Sequence, residues 1–270
     1  MLPHTPSRLL ATAVVVTTAA ISALALATPA VASTVNYVAL GDSYSSGLGA
    51  GNYISSSGSC DRSTNAYSAL WANANSPASY TSVACAGATT STVLSGQISA
   101  LSSATTLVSI TVGGNDVGFS SVMETCVLES TSSCVSAINS AEAKMSSSLP
   151  GELDSVLSAI SAAAPSARVV VLDYPELYDL SKSSTCIGLS TTDRTDLNQA
   201  ADELDAQVQA AAGRHGDVFA DVRSTFSGHQ LCDSAGWLHS VNIFDISESY
   251  HPTATGQADG YYPVFAANAG

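Results

Sequence analysis

The sequence predicts an α/β fold, a three-layer α/β/α sandwich in which helices cover both faces of a mostly parallel central sheet. Two observations support this prediction. Short apolar segments, each closed by turn or polar residues, alternate along the chain with stretches of helical periodicity. No linker long enough to divide two domains follows residue 32, so residues 33–270 are expected to form one domain.

The first 32 residues are expected to be a signal peptide. Arg8 precedes an apolar run over residues 9–27, a Thr-Pro pair breaks the run at 28–29, and Ala-Val-Ala at 30–32 has the small-x-small pattern that signal peptidase reads. An uncleaved anchor helix is the alternative, and the proline break and the cleavage pattern argue against it. No later segment resembles a membrane span, so we expect an exported, extracellular protein without a permanent membrane anchor.

Four segments are predicted to be buried parallel strands, because each is a short apolar run bounded by turn or polar residues. They are residues 35–40, 107–112, 168–172 and, more weakly, 217–222. In parallel sheets the ligand sites gather at the carboxyl ends of the strands. Polar residues that directly follow these segments are therefore the first candidates for a functional site.

Three segments with helical periodicity follow the second, third and fourth predicted strands. Residues 136–164 are rich in Ala, Leu and Ile, and a Pro-Gly pair interrupts them. Residues 193–212 form an amphipathic pattern, with Asp193 predicted as the N-cap and Gly213 as the stop. A last helix is expected over residues 252–267, with Pro252 at its first position. Residues 55–59 and 124–136 are predicted to be surface loops.

Charge and composition exclude several classes of function. The chain carries 8 Lys+Arg against 22 Asp+Glu, a net charge of −14. It therefore lacks the basic stripe that a nucleic-acid-binding protein needs, and attraction to anionic membranes is disfavoured for the same reason. With 46% hydrophobic and 11% charged residues, the chain can bury a core, which excludes a disordered protein.

Six cysteines lie beyond the predicted leader, and an even number in an exported chain predicts three disulfides. They are Cys60, Cys85, Cys126, Cys134, Cys186 and Cys232. Six cysteines allow fifteen pairings, and the residues alone do not choose among them. We expect the sequential pairing, 60–85, 126–134 and 186–232, because it closes three independent loops. A zinc site is the alternative, but without a Cys-x-x-Cys motif or a histidine at ligand spacing no metal is expected.

A Gly-Asp-Ser motif at 41–43 directly follows the first predicted strand. A serine at a strand-to-helix transition presents its hydroxyl at the edge of the sheet, and the helix that follows offers backbone N–H groups to a developing oxyanion. An ordinary Gly-Asp turn with a capping serine is the alternative interpretation. Because 45 of the 270 residues are serine, only this local context distinguishes Ser43.

Two further motifs complete the candidate site. Gly-Gly-Asn-Asp at 113–116 follows the second predicted strand, where Asn115 can donate an N–H to an oxyanion; a glycine turn with a capping Asn is the alternative. Near the C-terminus, His251 at the start of the last predicted helix can serve as a general base. An acid, Glu248, lies three residues before it.

In this order the motifs resemble the SGNH (GDSL) hydrolase family, in particular its secreted actinobacterial, Streptomyces-type lipase and esterase branch. The resemblance runs from about Val35 to Gln257. It implies a flavodoxin-like sheet, a nucleophile at Ser43 and a general base at His251. It also implies an oxyanion hole formed by the backbone N–H groups of Ser43 and Gly87 and the side-chain amide of Asn115. The family's chemistry requires no cofactor, and a monomer is expected.

One position departs from the family pattern. The family usually has Asp three residues before the catalytic histidine, and this chain has Glu248. Its carboxylate is one candidate for orienting the imidazole of His251. Relatives in this branch use a backbone carbonyl instead, which leaves a Ser–His dyad, and the carbonyl of Glu248 or Ser249 is the second candidate. Asp245 is a weaker substitute.

The resemblance implies a serine hydrolase that cleaves carboxylic esters of acyl lipids through an acyl-enzyme, as a lipase, phospholipase or esterase. A carbohydrate-ester deacetylase is the second hypothesis. A non-catalytic exported binding protein that keeps the fold is the third, and it would be expected to lack at least one of Ser43, Asn115 and His251. All three are present.

Overall fold

The computed structural model describes residues 1, 3, 34–182 and 186–270. The chain divides into two units, Met1–Ala32 and Ser33–Gly270, and every element below belongs to the second. The predicted signal peptide lies almost entirely outside the described residues. None of the helices in the described part of the chain has the length and apolar character needed to cross a membrane.

Within the described residues, five strands form one parallel sheet in the order β2-β1-β3-β4-β5. This is the flavodoxin-like order of doubly wound folds, whose topological switch point lies between β1 and β3. The predicted α/β sandwich is confirmed. The strands are β1 Asn36–Ala39, β2 Ser79–Ser82, β3 Leu107–Ile110, β4 Arg168–Leu172 and β5 Val218–Ala220.

The helices pack in two groups, α2 with α10 and α5 to α8 with one another. Tyr37 of β1 joins the first group, because its ring lies 5.4 Å from that of Trp71 and 5.3 Å from that of Phe265. The helices are α1 Ser43–Ser46, α2 Tyr67–Asn75, α3 Thr90–Thr92, α4 Gly114–Val117, α5 Phe119–Leu128, α6 Thr131–Ser147, α7 Leu149–Ala163, α8 Thr191–His215, α9 Arg223–Phe226 and α10 Tyr262–Asn268.

Two segments expected to be loops are helical. Residues 124–136 comprise the end of α5, the two-residue connection Glu129-Ser130 and the start of α6, and buried Cys126 and Cys134 form a disulfide between the two helices. Residues 55–59 belong to a short 3₁₀ helix, Ser55–Cys60. Serine-rich sequence is weak evidence for a loop here, because packing and a covalent link outweigh low intrinsic propensity.

The ends of two predicted helices also differ. Ser190, and not Asp193, is the N-cap of α8, and the two residues form a capping box in which each accepts a hydrogen bond from the backbone N–H of the other. The helix continues past Gly213 and ends at Gly216, which has a φ of 72°. Pro252 lies before the last helix and forms an isolated antiparallel bridge with Leu238.

The six cysteines form three disulfides in the order in which they occur along the chain: Cys60–Cys85, Cys126–Cys134 and Cys186–Cys232. The first of these joins the 3₁₀ helix to the loop after β2. That loop also runs beside the end of β1, because the N–H of Cys85 donates to the carbonyl of Gly41 at 3.0 Å. The disulfide therefore fixes backbone at the edge of the sheet where β1 ends.

Candidate active site

Ser43 and Asn115 lie at the switch point of the sheet. Strands β1 and β3 are neighbours in register, with Ala39 opposite Ser109, so the segments that follow them meet at the same edge. Ser43 is the first residue of α1, and the side chain of Asp42 caps that helix by accepting from the N–H of Tyr44 at 3.0 Å. Asn115 lies in the first turn of α4.

His251 approaches this edge from a remote part of the chain. Its Nε2 lies 2.7 Å from the Oγ of Ser43, and both side chains are buried. Two backbone hydrogen bonds with His239 hold the segment in place: the N–H of His239 donates to the carbonyl of His251, and the N–H of Tyr250 donates to the carbonyl of His239, each at 2.9 Å.

The other ring nitrogen of His251 faces a backbone carbonyl. Its Nδ1 lies 3.0 Å from the oxygen of Ser249, so that Nδ1–H donates to the carbonyl and Nε2 can accept the proton of Ser43. Tyr250, between them, has a φ of 67°, which turns the Ser249 carbonyl back toward the ring. The hydroxyl of Tyr44 donates to the carbonyl of Tyr250 at 2.7 Å and stabilises this turn.

The structure does not bring the carboxylate of Glu248 to His251. Its Oε1 accepts from the hydroxyl of Tyr53 at 2.5 Å, and its Oε2 accepts from the side-chain amide of Asn242 at 3.2 Å. Its backbone carbonyl accepts from the backbone N–H of His251 at 3.1 Å. Asp245 accepts from the N–H of Ser247 and caps the short helix before the histidine.

The imidazole of His251 is neutral at pH 7. Burial lowers its pKa to about 4, since desolvation disfavours the charged ring, and the hydrogen bond to Ser249 opposes this effect only in part. A neutral imidazole with its lone pair directed at a serine hydroxyl is able to accept that proton. The arrangement is that of a nucleophile and a general base.

Ser43, Gly87 and Asn115, the three residues expected to supply N–H donors to an oxyanion, lie in the segments that follow β1, β2 and β3. The N–H of Ser43 is the first of α1 and has no partner within the helix. Hydrogen bonds hold the backbone on both sides of Gly87. The N–H of Cys85 donates to the carbonyl of Gly41, and the side-chain amide of Asn115 donates to the carbonyl of Ala88 at 2.9 Å. One amide hydrogen of Asn115 remains available to a ligand. Gly87 has a φ of 76°, a conformation that favours glycine.

A buried network under Ser43 was missed by the sequence analysis. The carboxylate of Asp42 accepts from the hydroxyls of Thr111 at 2.6 Å and Tyr174 at 2.5 Å. Tyr174 in turn accepts from the N–H of Gly114 at 3.3 Å, so it joins the segments after β1 and β3. Burial raises the pKa of Asp42 to about 6. Tyr174 lies two residues after β4, and this position just beyond a strand was the feature of the sequence that indicated a place near the site.

An apolar pocket, called here the acyl pocket, opens at Ser43 and Asn115 and continues between α6 and α8. Its wall is aliphatic over most of its depth, and the polar groups are confined to the end where Ser43 lies. Its cavity volume is about 60 Å³, which suits the first few carbons of an alkyl chain whose reacting end lies at the sheet edge. The aliphatic part includes Val122, Ile138, Met145, Leu197 and Leu204. In the described part of the chain, no group of His, Cys, Asp and Glu is arranged to hold a metal ion.

Residues 39–258 match the model of the GDSL-like lipase/acylhydrolase family, a range that includes Ser43, Gly87, Asn115 and His251. The chain belongs to this family. The resemblance drawn from the sequence motifs is therefore confirmed, including its Streptomyces-type branch. Lipase 1 of Streptomyces coelicolor is 60% identical over 228 residues, which cover 84% of this chain and 84% of that protein.

Two solved structures of the family superpose closely on this chain. Phospholipase A1 from Streptomyces albidoflavus is 54% identical, with a TM-score of 0.85, and the match covers 87% of this chain and 99% of that one. The extracellular lipase from Streptomyces rimosus is 50% identical, with a TM-score of 0.84 and the same two coverages. A carboxylic-ester hydrolase is the activity that this family membership supports.

Proposed function

We propose that this chain is an exported serine hydrolase that cleaves the carboxylic esters of acyl lipids through an acyl-enzyme, as a monomer and without a cofactor. The observation on which this rests is the 2.7 Å contact between the Oγ of Ser43 and the Nε2 of His251 at the mouth of the acyl pocket. The lipases and the phospholipase A1 to which the chain is 50–60% identical support the same conclusion.

The reaction follows from the site. As the hydroxyl of Ser43 attacks the ester carbonyl, its proton moves to Nε2 of His251, and the imidazolium then protonates the departing alcohol oxygen. Water enters, gives a proton to the same nitrogen and attacks the acyl-enzyme. The tetrahedral intermediate then breaks its bond to the Oγ of Ser43, which takes the proton back from His251, and the carboxylic acid is released. Asn115 and the backbone N–H groups of Ser43 and Gly87 stabilise the tetrahedral oxyanion in both halves of the reaction.

The acyl pocket supports a lipid substrate over a small acetyl ester. An acetyl group would leave the aliphatic wall between α6 and α8 without a ligand, whereas each methylene of a longer chain placed there contributes about 0.8 kcal/mol. Export is supported by the three disulfides, which persist in oxidising compartments, and by the extracellular lipase among the relatives.

The decisive test is Ser43→Ala, assayed on a series of p-nitrophenyl esters of increasing acyl length and labelled with a fluorophosphonate. We expect loss of labelling and a fall in turnover of about 10⁴-fold or more, with unchanged circular dichroism. Ser46→Ala is the matched control, because that hydroxyl only donates to the carbonyl of Ser43.

Two outcomes would contradict the proposal. Normal turnover of Ser43→Ala would remove the nucleophile assignment. Higher kcat/KM on acetylated xylan than on any longer acyl ester would favour the carbohydrate-ester deacetylase.

Asn115→Ala tests the oxyanion donor, with an expected loss of about 10²–10³ in kcat.

A further inference from the structure

A second apolar groove borders His251. It runs between α5 and the segment before His251, and it is called here the alcohol groove. Its walls include Phe119, Met123 and Val127 on α5, Ile243 and Ile246 on the opposite segment, and His251. Neither Ser43 nor Asn115 lines it, and His251 does not line the acyl pocket.

The chemistry of ester cleavage determines which part of a substrate faces each cavity. The acyl carbon becomes bonded to Ser43 and its oxyanion lies against Asn115, so the acyl chain leaves the site on the side of the acyl pocket. The alcohol oxygen receives its proton from His251, so the alcohol leaves on the side that His251 lines. Phe119 contributes to both cavities and therefore stands between the two halves of the ester.

The walls of the alcohol groove are apolar and open to solvent. The side chains of Ile243 and Ile246 are 81% and 70% exposed, and at the end of α5 Leu128 is 72% exposed. The residues that line the groove include one acid, Glu124, and no lysine or arginine. An anionic head group would find no partner there, whereas an alkyl chain laid in the groove would cover these side chains.

We propose that the alcohol groove is a binding subsite for an apolar chain carried by the alcohol half of the ester, as the second acyl chain of a diacyl glycerolipid is. This inference rests on the proposed function, because it takes Ser43 as the nucleophile and His251 as the proton donor to the alcohol. It assigns the two chains of one substrate to two separate cavities.

The test uses two sets of soluble monomeric esters, each below its solubility limit. One set keeps an octanoyl group and lengthens the alcohol from ethyl to hexyl. The other keeps an ethyl alcohol and lengthens the acyl group. In the unmodified protein, kcat/KM is expected to rise along the alcohol series by up to about fourfold per methylene, the value that full burial would give.

The double variant Ile243→Ser/Ile246→Ser is expected to flatten the alcohol series and to leave the acyl series unchanged. Phe244→Ser is the matched control, since Phe244 is 95% exposed on the same segment but does not line the groove. All three side chains are largely exposed, so these substitutions leave the core intact.

The outcomes separate this inference from the function on which it rests. A flat alcohol series in an unmodified protein that still shows a rising acyl series would overturn the alcohol groove alone. Equal effects of the double variant and Phe244→Ser would also overturn it, because they would indicate a general surface effect. Ester hydrolysis that survives Ser43→Ala would overturn both.

Discussion

The Nδ1 atom of His251 lies 3.0 Å from the backbone carbonyl oxygen of Ser249, and no carboxylate in the described part of the chain bonds to that ring. A carbonyl fixes the tautomer and the ring orientation as an acid would. It brings no full negative charge, however, so it stabilises the imidazolium less. That difference agrees with a pKa of His251 lowered to about 4 by burial.

Replacement of Glu248 by Ala is therefore expected to lower turnover by about tenfold or less, against the roughly 10⁴-fold loss that follows removal of a triad acid. The carbonyl of Ser249 remains in the variant, and only the bonds to Tyr53 and Asn242 are lost. The measurement is kcat on one soluble ester for Glu248→Ala and Glu248→Gln. Asp245→Ala serves as the control, and a loss near a thousandfold in both Glu248 variants would contradict the dyad.

The acid limb of the pH profile is expected near pH 4. Catalysis needs the neutral imidazole of His251, whose pKa burial lowers to about 4, so kcat/KM rises through that pH and then levels off. Asp42, with a pKa raised by burial to about 6, titrates beside the same serine. Asp42→Asn distinguishes the two groups. A limb near pH 6 that disappears in this variant would assign the profile to Asp42.

The sequence motifs predicted the two strand ends that carry Ser43 and Asn115 because buried parallel strands are continuous apolar runs. Strand β2, Ser-Tyr-Thr-Ser, could not be found in this way. It is an edge strand whose alternate residues are exposed, and it pairs with β1 alone. Its hydrogen bonds to β1 position it, and those are not visible as an apolar pattern in the sequence.

The partners of the site residues were harder to predict than the residues themselves. Tyr174 reaches Asp42 from the far side of β3, and Glu248 turns away from His251 to bond with Tyr53. Both contacts join segments more than 100 residues apart and depend on side-chain direction. Spacing along the chain placed an acid three residues before His251, but the positive φ of Tyr250 presents a carbonyl to the ring instead.

Arg223 is expected to be a major source of stability. Its Nε lies 3.6 Å from Asp173 and 3.7 Å from Asp205, two fully buried carboxyls. Arg223→Met removes this cation together with its bonds to Asp202 and Asp221, and losing charge-assisted hydrogen bonds of this kind costs about 1.5–3 kcal/mol of unfolding free energy. The control is Arg214→Met, which breaks an exposed ion pair with Asp154. That pair contributes up to about 1 kcal/mol to the free energy of unfolding. Equal losses in the two variants would contradict the assignment.

The pH dependence of that loss has a definite sign. Burial raises the pKa of Asp173 and of Asp205 above their unfolded values, so the folded state binds more protons. Stability from these groups is present below the unfolded pKa and is lost as pH rises toward the folded values. Arg223→Met should therefore be more destabilising at pH 8 than at pH 5 in urea unfolding, and the reverse order would contradict this explanation.

The Cys60–Cys85 disulfide is expected to affect turnover as well as stability. It fixes the loop that carries Gly87, whose backbone N–H is a proposed oxyanion donor, and the N–H of Ala86 donates to the carbonyl of Cys60 at 3.1 Å. Replacing both cysteines by Ala frees this loop, so kcat should fall by about ten- to a hundredfold, less than the 10²–10³ of a donor lost outright. The matched control is Cys126→Ala/Cys134→Ala, which opens a link between α5 and α6.

Stability and turnover should separate in these two double variants. The cysteines are 25 residues apart in the first pair and 8 in the second, so both variants lose stability, and the first loses more. Turnover is measured well below both melting temperatures, so that each variant is folded during the assay. Under those conditions the variant lacking Cys60–Cys85 should show the lower kcat, because Cys126–Cys134 links two helices that line the substrate cavities but carry no proposed oxyanion donor. An unchanged kcat in the variant lacking Cys60–Cys85 would mean that this disulfide acts on stability alone and that Gly87 is held by the backbone bond from Cys85 to Gly41. Equal losses of kcat in both variants would contradict a specific effect of Cys60–Cys85 on Gly87.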